Sequence, residues 1–203
     1  MILSLNEIEN MVRKAACGAG LAFGLAQDAG RAAAIAQAAG LDGVKAAYLG
    51  LTVTTPLQID PPLPAGVEAS QIAACIAALD SLAAGLCARV KIRHLVSAPM
   101  LAALAVVTAR EQAVAFRIIF DSGECHASAQ GLVDAAKLPE GKCDLTLECV
   151  APPKEQSSAP AAAPPSHNSA HWQTLAALAA RTYVPESAQS RLSGAGAGLT
   201  DND

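Results

Sequence analysis

Where this chain is apolar, it is apolar with small side chains. Of its 203 residues 52% are hydrophobic, yet only 3% are aromatic, and alanine fills long stretches such as 29–39 and 98–109. Alanine buries little area, so a core built from it needs many small contacts at short interhelix distances. The chain is long enough for one good core, with a small appendage. These constraints predict an α+β fold in which Ala-rich helices pack on a small antiparallel sheet.

Local signals divide the chain. Ser4 caps a first helix, Glu7 three residues later completes a capping box, and Leu3 is placed to pack on Ile8 as a hydrophobic staple. Leu5, Ile8, Met11, Val12 and Ala15 share its apolar face. Gly18 and Gly20 end it, and a second helix runs from Leu21 or Ala22 to Ala39, stopped by Gly40. Gly24 and Gly30 fall inside that helix at about 1 kcal/mol each relative to Ala. Another backbone packed on that face is the simplest compensation.

Residues 44–51 suit a short helix, residues 51–54 have strand character, and the prolines from Pro56 to Pro64 mark a connector. A third helix is expected over 68–84. Residues 88–96 then read as a strand, with Val90 and Ile92 alternating against Lys91 and Arg93. Ser97 caps a further helix with Pro99 in its first turn, running to about Arg110. Phe116, Ile118 and Phe120 alternate with Arg117, Asp121-Ser122-Gly123 turns the chain, and 124–130 returns as the partner strand. Residues 144–150 alternate again, with Leu145, Leu147 and Cys149 on one face. The chain thus divides into a main domain (1–150), a Pro/Ala/Ser-rich linker (151–168) and a C-terminal helix with a Gly-rich tail (169–203). Ser169 is the expected cap of that last helix. Its stripe of Trp172, Leu175 and Leu178 has to dock on the main domain or on another subunit.

A net charge of −4 with no Lys/Arg cluster argues against nucleic-acid binding. The longest apolar stretch, around Met100–Val107, is too short to cross a bilayer, and the N-terminal residues lack the pattern of a secretory signal. Six cysteines without C-x-x-C spacing then read as free thiols in a cytoplasmic protein. Cys125 and His126 are adjacent on a predicted strand and point to opposite faces, so they cannot work as a pair. His94 reads as a structural residue. His167 and His171 have the spacing of two ligands on a helix, but a cap at Ser169 leaves His167 in the linker without a third ligand. No metal site and no particular cofactor is expected.

The site expectation rests on two glycine-rich segments. Gly18-Ala19-Gly20 followed by Gly24 is not a dinucleotide fingerprint: a helix rather than a strand precedes it, and the third glycine comes one position late. A glycine turn before a helix N-terminus can still receive a carboxylate or phosphate, though a tight helix–turn–helix explains it as well. The tail run Gly194-Ala195-Gly196-Ala197-Gly198, with Arg191 before it and Asp201 and Asp203 after it, offers backbone donors or cation ligands. The expected site lies where this tail meets the Gly18–Gly20 turn and the second helix. Arg31, Arg191 and the amides of Gly18, Gly20, Gly194, Gly196 and Gly198 would contact an anion, with Asp28 and Tyr183 orienting polar groups. The function expected is binding of a small molecule or anion, in a homodimer. The alternatives are an accessory or interaction subunit of a metabolic enzyme, or an enzyme using Asp28 or Glu7 as an acid–base group.

The segments Leu3-Ser4-Leu5-Asn6-Glu7-Ile8-Glu9, Ala15-Ala16-Cys17-Gly18-Ala19-Gly20-Leu21 and Ala29-Gly30-Arg31-Ala32-Ala33 resemble a bacterial, mainly proteobacterial, family classed as a domain of unknown function. Thr182-Tyr183-Val184-Pro185 and the stretch from Gly194 to Asp203 fit the same family. The resemblance covers roughly the first 45 and last 25 residues. Cys17 departs from it, standing where the family implies a larger polar residue such as Arg. No catalytic residue carries over, because the family has none assigned.

Overall fold

A computed structural model describes residues 3–63, 70–152 and 168–183. Among the described residues six α-helices and six strands follow one another: α1 (Leu5–Gly18), α2 (Phe23–Ala38), α3 (Gly43–Thr52), β1 (Gln58–Asp60), α4 (Gln71–Ala83), β2 (Arg89–Leu95), α5 (Ala98–Gln112), β3 (Ala115–Phe120), β4 (Gly123–Ser128), β5 (Gly131–Val133), β6 (Cys143–Val150) and α6 (Ser169–Ala180). The strands form one antiparallel sheet in the order β1-β2-β6-β3-β4-β5. The fold is α+β, as the alternation and the helical spacing require.

The helices stack on one face of the sheet. Helices α4 and α5 touch the strands, α2 and α3 lie over α5, α1 covers α2, and α6 packs on α1 and α3. That order explains α5, whose residues from Met100 to Ala109 are buried without a break. A helix apolar all round is one enclosed on every side. The sheet's inner face carries Val90, Ile92, Phe116, Ile118, Leu145 and Leu147, all buried. Arg89, Lys91 and Arg93 stand on the other, uncovered face.

Close helix packing comes from glycine at the crossings. A Cβ on Gly30 would lie 2.7 Å from the Glu9 carbonyl oxygen of α1, so the compensation expected for this glycine is present. Gly24 has nothing within 4 Å of a built Cβ and no such neighbour. On Gly43 the Cβ would lie 2.1 Å from the Ala33 carbonyl oxygen of α2.

Several expectations need correction. Leu5 is 46% exposed rather than part of the buried face of α1. Thr52 ends α3 instead of starting a strand; the strand comes later, at β1. Asn168, not Ser169, caps α6, accepting the Ala170 N–H at 2.9 Å. In β2 strict alternation would send His94 inward after Val90 and Ile92, but the register shifts between Ile92 and Leu95, so Leu95 takes the core position. His94 adopts φ +66°, and its N–H donates to Asp144 Oδ1 at 3.0 Å. A bulge of this kind re-aims the residues after it.

Candidate functional site

The glycine turn is first of all a helix stop. Gly20, at φ +95°, donates to the Cys17 carbonyl at 2.9 Å, and Leu21 donates to the Ala16 carbonyl at 3.0 Å. These two bonds make a Schellman cap, which needs a left-handed residue at Gly20. Gly18 serves a different contact. A Cβ there would stand 1.9 Å from the Leu178 carbonyl oxygen, so α1 and α6 cross backbone to backbone at this residue. Beside them Lys14 donates to Tyr183 Oη at 3.4 Å and lies 5.5 Å from the centre of its ring.

Asp28 and Arg31 have other neighbours. The Arg31 guanidinium donates to Glu111 Oε1 at 3.0 Å and stands 3.6 Å from Asp28, tying α2 to the end of α5. Burial, and then the Glu111 charge, push the Asp28 carboxyl above its ordinary range, against the pull of Arg31; Asp80 on α4 pushes in the same direction as Glu111. Asp80 is raised for the same first two reasons, while the Gln112 amide, 3.1 Å away, draws it down. Thus Gly18 and Tyr183 meet at the α1–α6 contact, whereas Asp28 and Arg31 meet at the junction of α2, α4 and α5. Arg191, Gly194, Gly196 and Gly198 lie outside the described residues, as does His167. His171 stacks on Tyr48 of α3, with ring centres 4.4 Å apart.

The turn does border a cavity. A space of about 170 Å³ opens against Ala19 and Leu21 and is closed by Gly50 and Leu51 of α3, the extended segment 53–63, and Ser70, Gln71 and Ala74 at the start of α4. Gly50 lets α3 lie close to α4, since a Cβ there would press on Ile72 at 3.1 Å. Gln71 is only 5% exposed. Its amide nitrogen donates to the Thr55 carbonyl at 2.8 Å, and its amide oxygen accepts the Val96 N–H at 3.2 Å. One buried side chain therefore holds the loop to the end of β2. Among the described residues neither amide atom has a second partner.

Gln71, Thr54, Thr55 and Ser70 were not singled out from the sequence. The available signal was a polar residue directly after a cap in an otherwise apolar helix, and it says nothing about a cavity. Two other hollows are charged. A groove of about 520 Å³ between α1, α2 and α5 is rimmed by Glu9, Arg31, Arg110 and Glu111. Another of about 290 Å³ has Asp42, Lys45 and Glu140 in its walls.

Burial pushes the thiols of Cys75 and Cys125 up to about 12, far from the thiolate. Among the described residues no group of three His, Cys, Asp or Glu side chains is placed to hold a metal ion. Among the same residues no helix is long and apolar enough to cross a membrane.

Residues 3–84 match a family described as a protein of unknown function, DUF3726. The match runs from α1 to the end of α4 and includes every described residue that lines the turn cavity. No curated protein and no solved structure matches the chain.

Proposed function

We propose that this chain is a bacterial cytoplasmic protein that binds a small molecule in the cavity beside the Gly18–Gly20 turn. One observation carries the reading: the cavity combines apolar side chains with a buried amide, Gln71, whose two atoms have one partner each among the described residues. A hollow that sets placed polar groups among apolar side chains is what small-ligand recognition needs. Arg31 plays no part in this reading, because Glu111 and Asp28 already hold its guanidinium.

The test is a thermal-shift screen of organic acids, amides, phosphates, nucleotides and divalent metals on the wild type and on Thr54→Phe. Thr54 is exposed at the mouth of the cavity, so a ring there blocks entry without disturbing the core. A compound that raises Tm in the wild type and not in the variant supports the reading. A screen with no responder, or a responder indifferent to Thr54→Phe, overturns it.

A second reading, an interaction protein that pairs with its own copy, draws on the groove between α1, α2 and α5. Its floor contains the exposed Leu5 and Ala38, and on its rim Glu9 and Arg110 have no ion pair within the described chain. A two-fold contact sets Glu9 of one copy against Arg110 of the other, twice.

A further inference from the structure

We infer that the surface around the α1–α2 turn, formed by Arg13, Lys14, Phe23, Arg181 and Tyr183, is a docking site for the acidic end of this same chain, residues 199–203. Two exposed rings and three cations make up the surface. Phe23 is 63% exposed and Tyr183 60%, in a chain with only 3% aromatic residues. Each ring stands beside one of two consecutive cations of α1. The Arg13 guanidinium is 5.8 Å from the centre of the Phe23 ring, and Lys14 Nζ is 5.5 Å from that of Tyr183. Arg181 joins them, its Cβ lying 3.5 Å from a Cβ built on Gly18. Among the described residues none of these three cations has an ion pair. Arg13 donates to the Asn10 amide oxygen and Lys14 to the Tyr183 hydroxyl, both uncharged. Cations laid beside exposed rings fit a partner that brings carboxylates together with an apolar side chain.

The chain's own end has that chemistry and starts at the surface. Its next residue, Val184, follows Tyr183 directly. Residues 184–203 carry three carboxylates, Glu186, Asp201 and Asp203, against the single cation Arg191, the opposite balance to the surface. Leu199 precedes Asp201 by two positions, which supplies an aliphatic side chain for the Phe23 ring beside the carboxylates. As a flexible chain, the stretch 184–200 spans roughly 20–25 Å, ample to return to Lys14, whose Nζ is 3.4 Å from the Tyr183 hydroxyl. A surface ion pair is weak by itself, but a tether of this length gives the acidic end an effective concentration on the order of millimolar. Lys91 and Arg93, two further cations without an ion pair among the described residues, stand on the far face of the sheet, away from Tyr183. The inference goes beyond the proposed function and holds with or without a ligand in the turn cavity.

The test is NMR on the full chain at low salt, reading the backbone heteronuclear NOE of residues 199–203 and the amide shifts of Lys14, Gly20, Phe23 and Tyr183. Docking predicts NOE values for 200–203 close to those of α1. The double variant Asp201→Asn/Asp203→Asn should drop them below zero and shift the amides of the surface, while leaving the folded core untouched. Lys14→Gln/Arg181→Gln, with Arg13 left in place, should release the same residues. So should about 1 M salt, where charges are screened within about 3 Å. Negative NOE values for 199–203 in the wild type overturn the inference. Order that survives both double variants and salt overturns it too. Surface shifts that grow with protein concentration assign the contact to a second copy and overturn it as well.

Discussion

At the scale of single residues glycine serves two distinct purposes in this chain. The tripeptide Ala-Gly-Leu occurs four times in the sequence, and three of the four, Ala19-Gly20-Leu21, Ala39-Gly40-Leu41 and Ala84-Gly85-Leu86, lie among the described residues. In each of these three the glycine has positive φ and donates to the carbonyl three residues back, while the leucine donates to the carbonyl five residues back. Those three glycines end helices. Gly18, Gly30 and Gly43 instead let two backbones touch, and there the missing methyl group matters. Gly18→Ala places a Cβ where the Leu178 carbonyl oxygen stands and should cost about 1–3 kcal/mol. The strain falls on the α1–α6 contact, so Trp172 emission should shift to the red in the variant. Gly24→Ala is the control: with nothing near its Cβ, it should gain about 0.5–1 kcal/mol from helix propensity alone. Urea unfolding of both variants checks the pair, and equal midpoints would refute this division of the glycines.

At the scale of elements the uncovered face of the sheet has its own fastening. Arg89 on β2 and Arg117 on β3 stand opposite Glu148 on the intervening β6. Arg89 donates to Oε1 through Nε at 2.9 Å, and Arg117 donates to Oε2 through Nε at 3.1 Å and through a second guanidinium nitrogen. Two forked pairs on one carboxylate join three strands that are far apart in sequence. Hydrogen bonds first from Arg117 and then from Arg89 hold the Glu148 carboxyl below its ordinary value of 4.5. A folded-state value below the unfolded one means that the stabilisation is complete above the unfolded value and is lost as pH falls through the folded one. Glu148→Gln should therefore lower Tm at neutral pH, and the gap from wild type should close on acidification below 4.5. Thermal melts from neutral to acid pH measure it; a gap that stays constant across that range would mean the clamp contributes packing rather than charge. The raised carboxyls of Asp28 and Asp80 work in the opposite sense. Their contribution is most favourable below the ordinary aspartate value of 3.8 and diminishes as pH rises through the folded values.

At the scale of the whole molecule, the described layers leave one face of the sheet and one helical groove without a described element over them, and the two differ in kind. The sheet face carries Lys91 and Arg93 besides the Arg89–Glu148–Arg117 clamp, a charged surface of the kind a solvated antiparallel face presents. The groove has an apolar floor and a rim that is self-complementary in charge, the character of a two-fold contact. If it pairs with a second copy, Ala38→Arg, at an exposed floor position in the last turn of α2, should give a monomer with an unchanged Tm at high dilution. Sedimentation equilibrium of wild type and variant checks this, and a wild type that is monomeric at every concentration refutes it.

The sequence alone determined the local architecture. The Ser4/Glu7 capping box, the glycine stops, the Ser97 cap with Pro99, and the strands with Phe116 and Leu147 inward were all legible. Each depends on residues within about five positions of one another, where helix and strand periods act directly. Small side chains likewise announced close helix packing, though they did not say that Gly18 faces α6 while Gly24 faces nothing. Tertiary structure decided everything that depends on partners distant in the chain. It put β6 between β2 and β3, brought Glu148 within reach of two arginines, gave Arg31 to Glu111, and set Gln71 behind the glycine turn. No periodicity records such meetings. They follow from the layering of α4 and α5 on the sheet and of α2, α3, α1 and α6 beyond them, an order set by which apolar faces can bury one another.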